Sequence, residues 1–156
     1  YSSAFGYDNT ASGDNSSAFG YFNNATSTDS SASGASNTAS GSYSSAVGSK
    51  NNASGENSSA VGYSNTASDY YSSAFGYGNT ASGEKSSAFG SDNIASFTNS
   101  SVFGSRGKTR AINQVVLSAS SSSSITTQLE LDVDGSCRIM KTTDGGATWT
   151  TFVTLA

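Results

Sequence analysis

A fourteen-residue period governs the first two thirds of this chain and limits it to a small set of folds. The coils begin at Tyr1, Asn15, Asp29, Tyr43, Asn57, Tyr71, Lys85 and Asn99. The first reads YSSAFGYDNTASGD and the sixth reads YSSAFGYGNTASGE. Coil positions 2 and 3 are serine, and position 6 is glycine, in all eight coils. Position 4 is alanine in seven, with Val102 the exception, while positions 9 and 11 are asparagine and alanine in seven. Strict periods of this kind mark architectures in which one unit stacks on its own copy.

A second period of seven lies inside the fourteen, because SSAFG aligns with NTASG. Each coil therefore reads as two short extended runs, each ended by a glycine. Glycine enters φ > 0 without steric cost, so the glycines are expected at the turns. Two strands and two turns make one rung of a flattened β-solenoid. A helical reading of the heptad fails. It needs two large apolar positions per seven residues, and these heptads offer glycine, Ser, Thr, Asn and at most one large apolar side chain.

Stacked strands lie ~4.8 Å apart, so eight rungs give a rod of ~38 Å in which each residue sits over its own equivalent. Position 5 then forms an apolar ladder of Phe5, Phe19, Val47, Val61, Phe75, Phe89 and Phe103, with Ser33 marking an irregular, weaker third rung. Asn9, Asn23, Asn37, Asn51, Asn65, Asn79 and Asn93 form an amide ladder of structural purpose. Periodicity does not say whether position 5 faces the inside of the roll or a neighbouring chain. One Phe or Val and two alanines per rung is thin burial against the entropy of ordering fourteen residues. Rods that share their apolar faces gain more, which predicts a cyclic oligomer.

Composition removes several functions. Seven Lys and Arg against eleven Asp and Glu, a formal charge of −4, leave no basic stripe for nucleic acid. The chain has no histidine, hence neither the commonest general base nor the commonest metal ligand. No cofactor is implied. No apolar run approaches the ~18 residues of a membrane-spanning helix, so membrane insertion is not expected. Cys137 is the single cysteine and forms no intrachain disulfide. Apolar residues are only 34 %, yet the small net charge and the regular aromatic spacing argue against disorder. The first coil opens in mid-pattern at Tyr1, which suggests a segment of a longer protein.

NSSAVGYSNTASDY and YSSAVGSKNNASGE resemble the head repeats of YadA-type trimeric autotransporter adhesins, and the likeness covers residues 1 to about 105. The resemblance implies a left-handed parallel β-roll, a homotrimer of rolls side by side, an extracellular location and an adhesive role. Similar repeats occur in tail and head fibres of phages and other viruses. Bacterial members continue into a neck and a coiled-coil stalk. After residue 112 this chain has short strands and no heptads, which favours a virion fibre over a bacterial cell-surface adhesin.

The eighth coil, NSSVFGSRGKTRAI, decays, and Arg106, Lys108 and Arg110 form a small basic knot. Terminal repeats are usually atypical caps, so these cations are read as a junction, paired to a neighbouring subunit, ahead of an anion or glycan site. The expected division is a β-roll over 1–112 and a small antiparallel β cap or tip over 113–156. Val115 to Ala119 suits a strand. Ile125, Thr127, Leu129, Leu131 and Val133 alternate with polar residues, as in a half-buried strand whose apolar side faces a core. Asp134-Gly135 suits a hairpin turn into a strand over Cys137 to Thr142, and Trp149 to Leu155 alternate in a last strand. Thr142 to Trp149 resembles an Asp-box hairpin, with Asp144 capping the turn and Trp149 packing on it. Asp132 and Asp134 only faintly suggest a calcium loop.

The whole points to an all-β, non-enzymatic attachment fibre with a host or surface receptor, glycan being a class its aromatic residues suit. Tyr7, Tyr21, Tyr63 and Tyr77 recur at position 7, where they suit stacking on sugars or packing at a turn or between subunits. An ice-binding solenoid is the alternative from another class, weakened because position 10 varies among Thr, Asn, Ile and Lys. A glycosidase needs two placed carboxylates, and Asp8, Asp14, Glu56 and Glu84 fall at variable coil positions.

Overall fold

The computed structural model of the chain describes residues 1–120, 126–131, 135–143, 148 and 150–155. Every rung of the repeat holds a five-residue strand over coil positions 3–7 and, through the seventh, a two-residue strand over positions 10–11. In chain order the first eight are β1 (Ser3–Tyr7), β2 (Thr10–Ala11), β3 (Ser17–Tyr21), β4 (Asn24–Ala25), β5 (Ser31–Ala35), β6 (Thr38–Ala39), β7 (Ser45–Ser49) and β8 (Asn52–Ala53). There follow β9 (Ser59–Tyr63), β10 (Thr66–Ala67), β11 (Ser73–Tyr77), β12 (Thr80–Ala81), β13 (Ser87–Ser91), β14 (Ile94–Ala95) and β15 (Ser101–Ser105). The two half-coils are similar in sequence but unequal in structure.

Both ladders are parallel and in strict register. Ala74 pairs with Ala60 and Ala88, and Phe75 with Val61 and Phe89. The short strands stack likewise, Ala67 between Ala53 and Ala81. Position 4 of the long strand and position 11 of the short strand both point inward, so the core from the second rung to the seventh is an alanine double row with no solvent exposure. Small side chains let the two sheets lie close together. The third rung, with Ser33 at position 5, keeps full pairing to both neighbours.

The expectation that glycine makes the turns holds at position 13, where the Gly13 carbonyl accepts from the Ser16 N–H (3.2 Å) and Gly41 and Gly55 repeat the contact, but it is overturned at position 6. Gly76 sits inside β11 at φ +119°, and a Cβ there would overlap the carbonyl of Gly90 in the next rung. The position-6 glycine is needed for close stacking within the sheet. The turns also use positions 8 and 1, where non-glycine residues adopt the left-handed region, among them Phe22, Lys50, Tyr71 and Lys85, at φ between 54° and 57°. Such a residue costs roughly 1–2 kcal/mol, tolerated because pairing on either side fixes the path.

The rest of the chain forms β16 (Val115–Ser120), β17 (Thr126–Leu131), β18 (Cys137–Thr142) and β19 (Thr150–Leu155). β16 is not the start of a separate sheet. It stacks on β15 in parallel, Ser101 to Val115 and Val102 to Val116, as the long strand of a ninth rung. β17, β18 and β19 then add antiparallel, giving one twelve-stranded sheet beside the seven-stranded sheet of short strands. The predicted strand over Ile125 to Val133 has the right period but the opposite sense. Leu131 is exposed and Glu130 is 1 % exposed, so the charged residue faces inward. The Asp-box-like turn with Asp144 and Trp149, and the acidic pair Asp132 and Asp134, lie outside the described residues.

Candidate functional site

The inner wall of each rung is polar at two corners, and the asparagine corner is built from side-chain bonds that repeat from rung to rung. At position 9, Asn65 Nδ2 donates to Asn51 Oδ1 (3.0 Å), to the carbonyl of Val61 (2.9 Å) and to that of Gly76 (2.7 Å). The Asn65 backbone N–H donates to Asn51 Oδ1 as well (3.0 Å), and Asn65 Oδ1 accepts in turn from Asn79. Asn23 to Asn93 are fully buried in this ladder, so each amide ties three rungs together. At position 2, serine closes the opposite turn from within: Ser30 Oγ donates to the carbonyl of Ser27 (2.6 Å), and Ser100 Oγ to that of Phe97 (2.6 Å). The asparagine ladder is thus scaffold, since an unpaired buried polar group costs ~1–3 kcal/mol, whereas the serine corner is uneven: Ser16, Ser44 and Ser58 bury a hydroxyl with no partner among the described residues.

The ladder ends by a volume exchange. In the eighth rung Val102 replaces alanine and Gly107 replaces asparagine, and a Cβ on Gly107 would overlap Val102 Cγ1. The Gly107 N–H still donates to Asn93 Oδ1 (2.9 Å), which closes the ladder. Thr109 takes the buried alanine site and accepts at Oγ1 from the Ser96 N–H (3.1 Å).

The basic knot divides. Arg110 forms an ion pair with Glu130, and Arg138 lies 3.5 Å from the other Glu130 oxygen. Gln114 Nε2 donates to Glu130 Oε2 (3.1 Å), and the Arg110 N–H donates to Gln114 Oε1 (2.7 Å). Arg110 therefore pairs within its own chain. Burial, with the Arg138 charge beside it, holds the Arg110 guanidinium below its ordinary pKa. Arg106 donates to Ser120 Oγ (3.1 Å) and so ties the eighth rung to the ninth. The backbone of Lys108 bridges Ile94, continuing the short sheet by one residue.

Two features remain on the outside. Position 5 faces outward, so the orientation that the sequence left open is the external one. Phe75 and Phe89 stack at 5.0 Å and Phe89 and Phe103 at 5.4 Å, each pair nearly parallel. Phe5, Phe19, Val47 and Phe103 are exposed, and Val61, Phe75 and Phe89 are half-buried. The core is closed by alanine without any of them.

The second feature is a ridge of exposed aromatic residues at positions 7 and 8. Tyr7 stacks on Tyr21 at 5.3 Å with Phe22 edge-on to both, and Tyr63 stacks on Tyr77 at 5.3 Å. Lys50 Nζ lies 5.6 Å from the Tyr63 ring centre and donates to its hydroxyl (3.4 Å). Ala35 and Ser49 interrupt the ridge, so the four tyrosines form two pairs instead of one file. The sequence shows these tyrosines; Phe22 and Lys50 join them only because positions 7 and 8 meet at one corner. Position 10 on the short sheet is a mixed rank of Thr, Asn and Ile, with no threonine file.

Among the described residues, no group of three or more His, Cys, Asp or Glu side chains is placed to hold a metal ion. Among the same residues there is no helix long and apolar enough to cross a membrane. No curated protein matches the chain significantly. The family model described as the YadA head domain repeat matches residues 1–23, 25–51, 53–79 and 81–106.

Proposed function

Since the chain belongs to the YadA head family, a family of surface-exposed adhesin heads that are structural and not enzymatic, we propose that it forms a trimeric attachment fibre. Three rolls pack side by side through the position-5 stripe, and the aromatic ridge is offered to a host or surface receptor.

The observation that carries this reading is the stripe itself. A file of Phe and Val, broken only by Ser33 among the eight rungs, stands outside a core already closed by alanine. Exposed apolar files of that length on a soluble rod mark an interface. The cation–aromatic and stacked pairs on the ridge suit the face of a sugar ring, since Tyr combines an apolar face with a polar edge. The virion-fibre reading draws on the way the roll continues into an antiparallel sheet where bacterial relatives would enter a coiled-coil stalk.

Light scattering tests the assembly. A solution mass of three times 15.7 kDa is expected, and a stable monomer overturns the trimer. A saccharide array with the assembled protein tests the ridge. Binding that Tyr63→Ala and Tyr21→Ala weaken is expected, and a blank array overturns the glycan receptor without touching the fibre.

A further inference from the structure

The outer stripe continues past the end of the repeat. Phe103 pairs in register with Leu117, Leu117 with Leu129, and Leu129 with Ile139. Phe103 is 40 % exposed, Leu117 46 % and Ile139 41 %. Together with Ala119 and Thr127 they line an apolar depression of about 490 Å³ that carries no charged side chain. Arg110 and Arg138 pair with Glu130, which is buried within the fold, and Lys141, in register with Thr127, stands beside the depression without lining it.

Within the roll the stripe repeats itself. Phe75, Phe89 and Phe103 present the same stacked ring at successive levels, so a neighbouring roll displaced by one rung, ~4.8 Å, meets nearly the same surface. Repetitive strands specify register weakly for this reason. The antiparallel sheet has no such translational copy. Its leucines and isoleucine differ from the rings below, and the depression spans β15 to β18, beyond the repeating part of the stripe.

We propose that the β16–β19 sheet packs against the same sheet of a second copy, and that this contact fixes the axial register of rolls otherwise free to slide. The proposal rests on the side-by-side oligomer above. The occupant is a second copy because the depression continues the very stripe that the oligomer buries, and because an uncharged apolar lining fits a like surface. The repeats then supply area, and the C-terminal sheet selects one alignment.

The test uses the full chain with Cys137→Ser, carrying either Phe75→Cys or Phe89→Cys, the two co-expressed with one mass-tagged and then oxidised. A disulfide needs Cβ atoms about 3.5–4.5 Å apart, so unlike 75–89 links report slippage by one rung. Like-with-like links are expected almost alone in the parent. Adding Leu129→Ser and Ile139→Ser is expected to raise unlike links several-fold, or to dissociate the assembly, with the circular dichroism of the sheet retained. If the pair does not fold, Leu129→Ser alone is read in the same way. Unlike links as frequent as like ones in the parent, or as rare in the variant, overturn the proposal. So does an oligomeric parent that forms no link at all. A monomeric parent, seen by light scattering before oxidation, overturns the underlying oligomer instead.

Discussion

The parallel roll and the antiparallel end share one sheet but obey different rules. In the roll every residue must tolerate a copy of itself directly above and below. That condition removes bulk and unpaired charge from the interior and leaves alanine, serine and asparagine. Asparagine succeeds there because its amide is donor and acceptor at once, and a file of identical amides satisfies itself. In the antiparallel end a residue meets a different partner, so complementary charge becomes possible. Glu130 is buried between Arg110 and Arg138, an arrangement that no stacked repeat can hold, since like charges would lie on one another. Both regions nevertheless present the same outward apolar file, which internal packing does not require of either.

Glycine breaks the comparison most sharply. A Cβ at Gly76 would overlap the Gly90 carbonyl, whereas the equivalent site in the ninth rung is Ser118, whose next neighbour is antiparallel and whose Oγ donates to the Ser105 carbonyl (2.8 Å). Gly76→Ala is expected to destabilise by more than ~4 kcal/mol, the range of core clashes. Ser118→Ala is expected to cost about 1 kcal/mol, the worth of one hydrogen bond. Thermal or denaturant unfolding of the two variants checks the contrast. Equal losses would show that the glycine serves something other than stacking.

The amide ladder comes next. Asn65→Asp keeps the shape but cannot donate to Val61 or Gly76, and it places a carboxylate at a fully buried site. A loss of about 3–5 kcal/mol at neutral pH is expected, as for an uncompensated buried charge. Burial raises a carboxyl pKa, so the aspartic acid is protonated in the folded state at pH values where the unfolded chain is ionised. The folded pKa lies above the unfolded one, so the defect should shrink as pH falls through the folded value. A defect unchanged between pH 7 and pH 4 would count against this reading.

Glu130→Gln probes the antiparallel side. It keeps hydrogen-bonding capacity toward Gln114 and removes the charge that Arg110 and Arg138 share. Arg110 is partly exposed, so solvent screens the cation left behind, and a loss of about 1–3 kcal/mol is expected, below that of a fully buried pair. Unfolding followed by a probe on β17, set against one on the roll, checks that the loss is local to the end of the rod.

How much of this was legible in the sequence follows from the same contrast. Stacking copies a residue onto itself, so identity at positions 2, 4, 6, 9 and 11 was enough to read rungs, register and the amide ladder. It was not enough to read the role of Gly76, because intolerance of a Cβ looks the same in a sequence whether it arises at a turn or inside a strand. The left-handed turn residues, such as Phe22 and Lys50, carry no glycine signal, for stacking fixes their backbone whatever their type. The outward sense of Phe75 was undetermined, since an alternating pattern is symmetric between core and interface. The Glu130 cluster was invisible because its cations come from residues 110 and 138, brought together by a register that no repeat announces.

The smallest expected effect separates strain from stacking at a single corner. Gly78 is the only glycine among the position-8 residues of the eight coils, at φ +64°, where the equivalent sites carry Asp8, Ser36, Lys50 and Ser64 at nearly the same angle. A Cβ there meets the end of the Asp92 side chain, which can rotate away, and comes no nearer than 4.0 Å to the Asp92 backbone, an ordinary contact. Gly78→Asn is therefore expected to stay within about 1 kcal/mol of the parent, asparagine being among the residues that best tolerate the left-handed region. Two residues away, Gly76→Ala should unfold the rung. A melting comparison of the two in one background gives the answer directly. If Gly78→Asn is as damaging as Gly76→Ala, the left-handed corner limits the fold. If it is silent, spacing between stacked backbones does, and the corners are free to carry aromatic or charged residues such as those of the ridge.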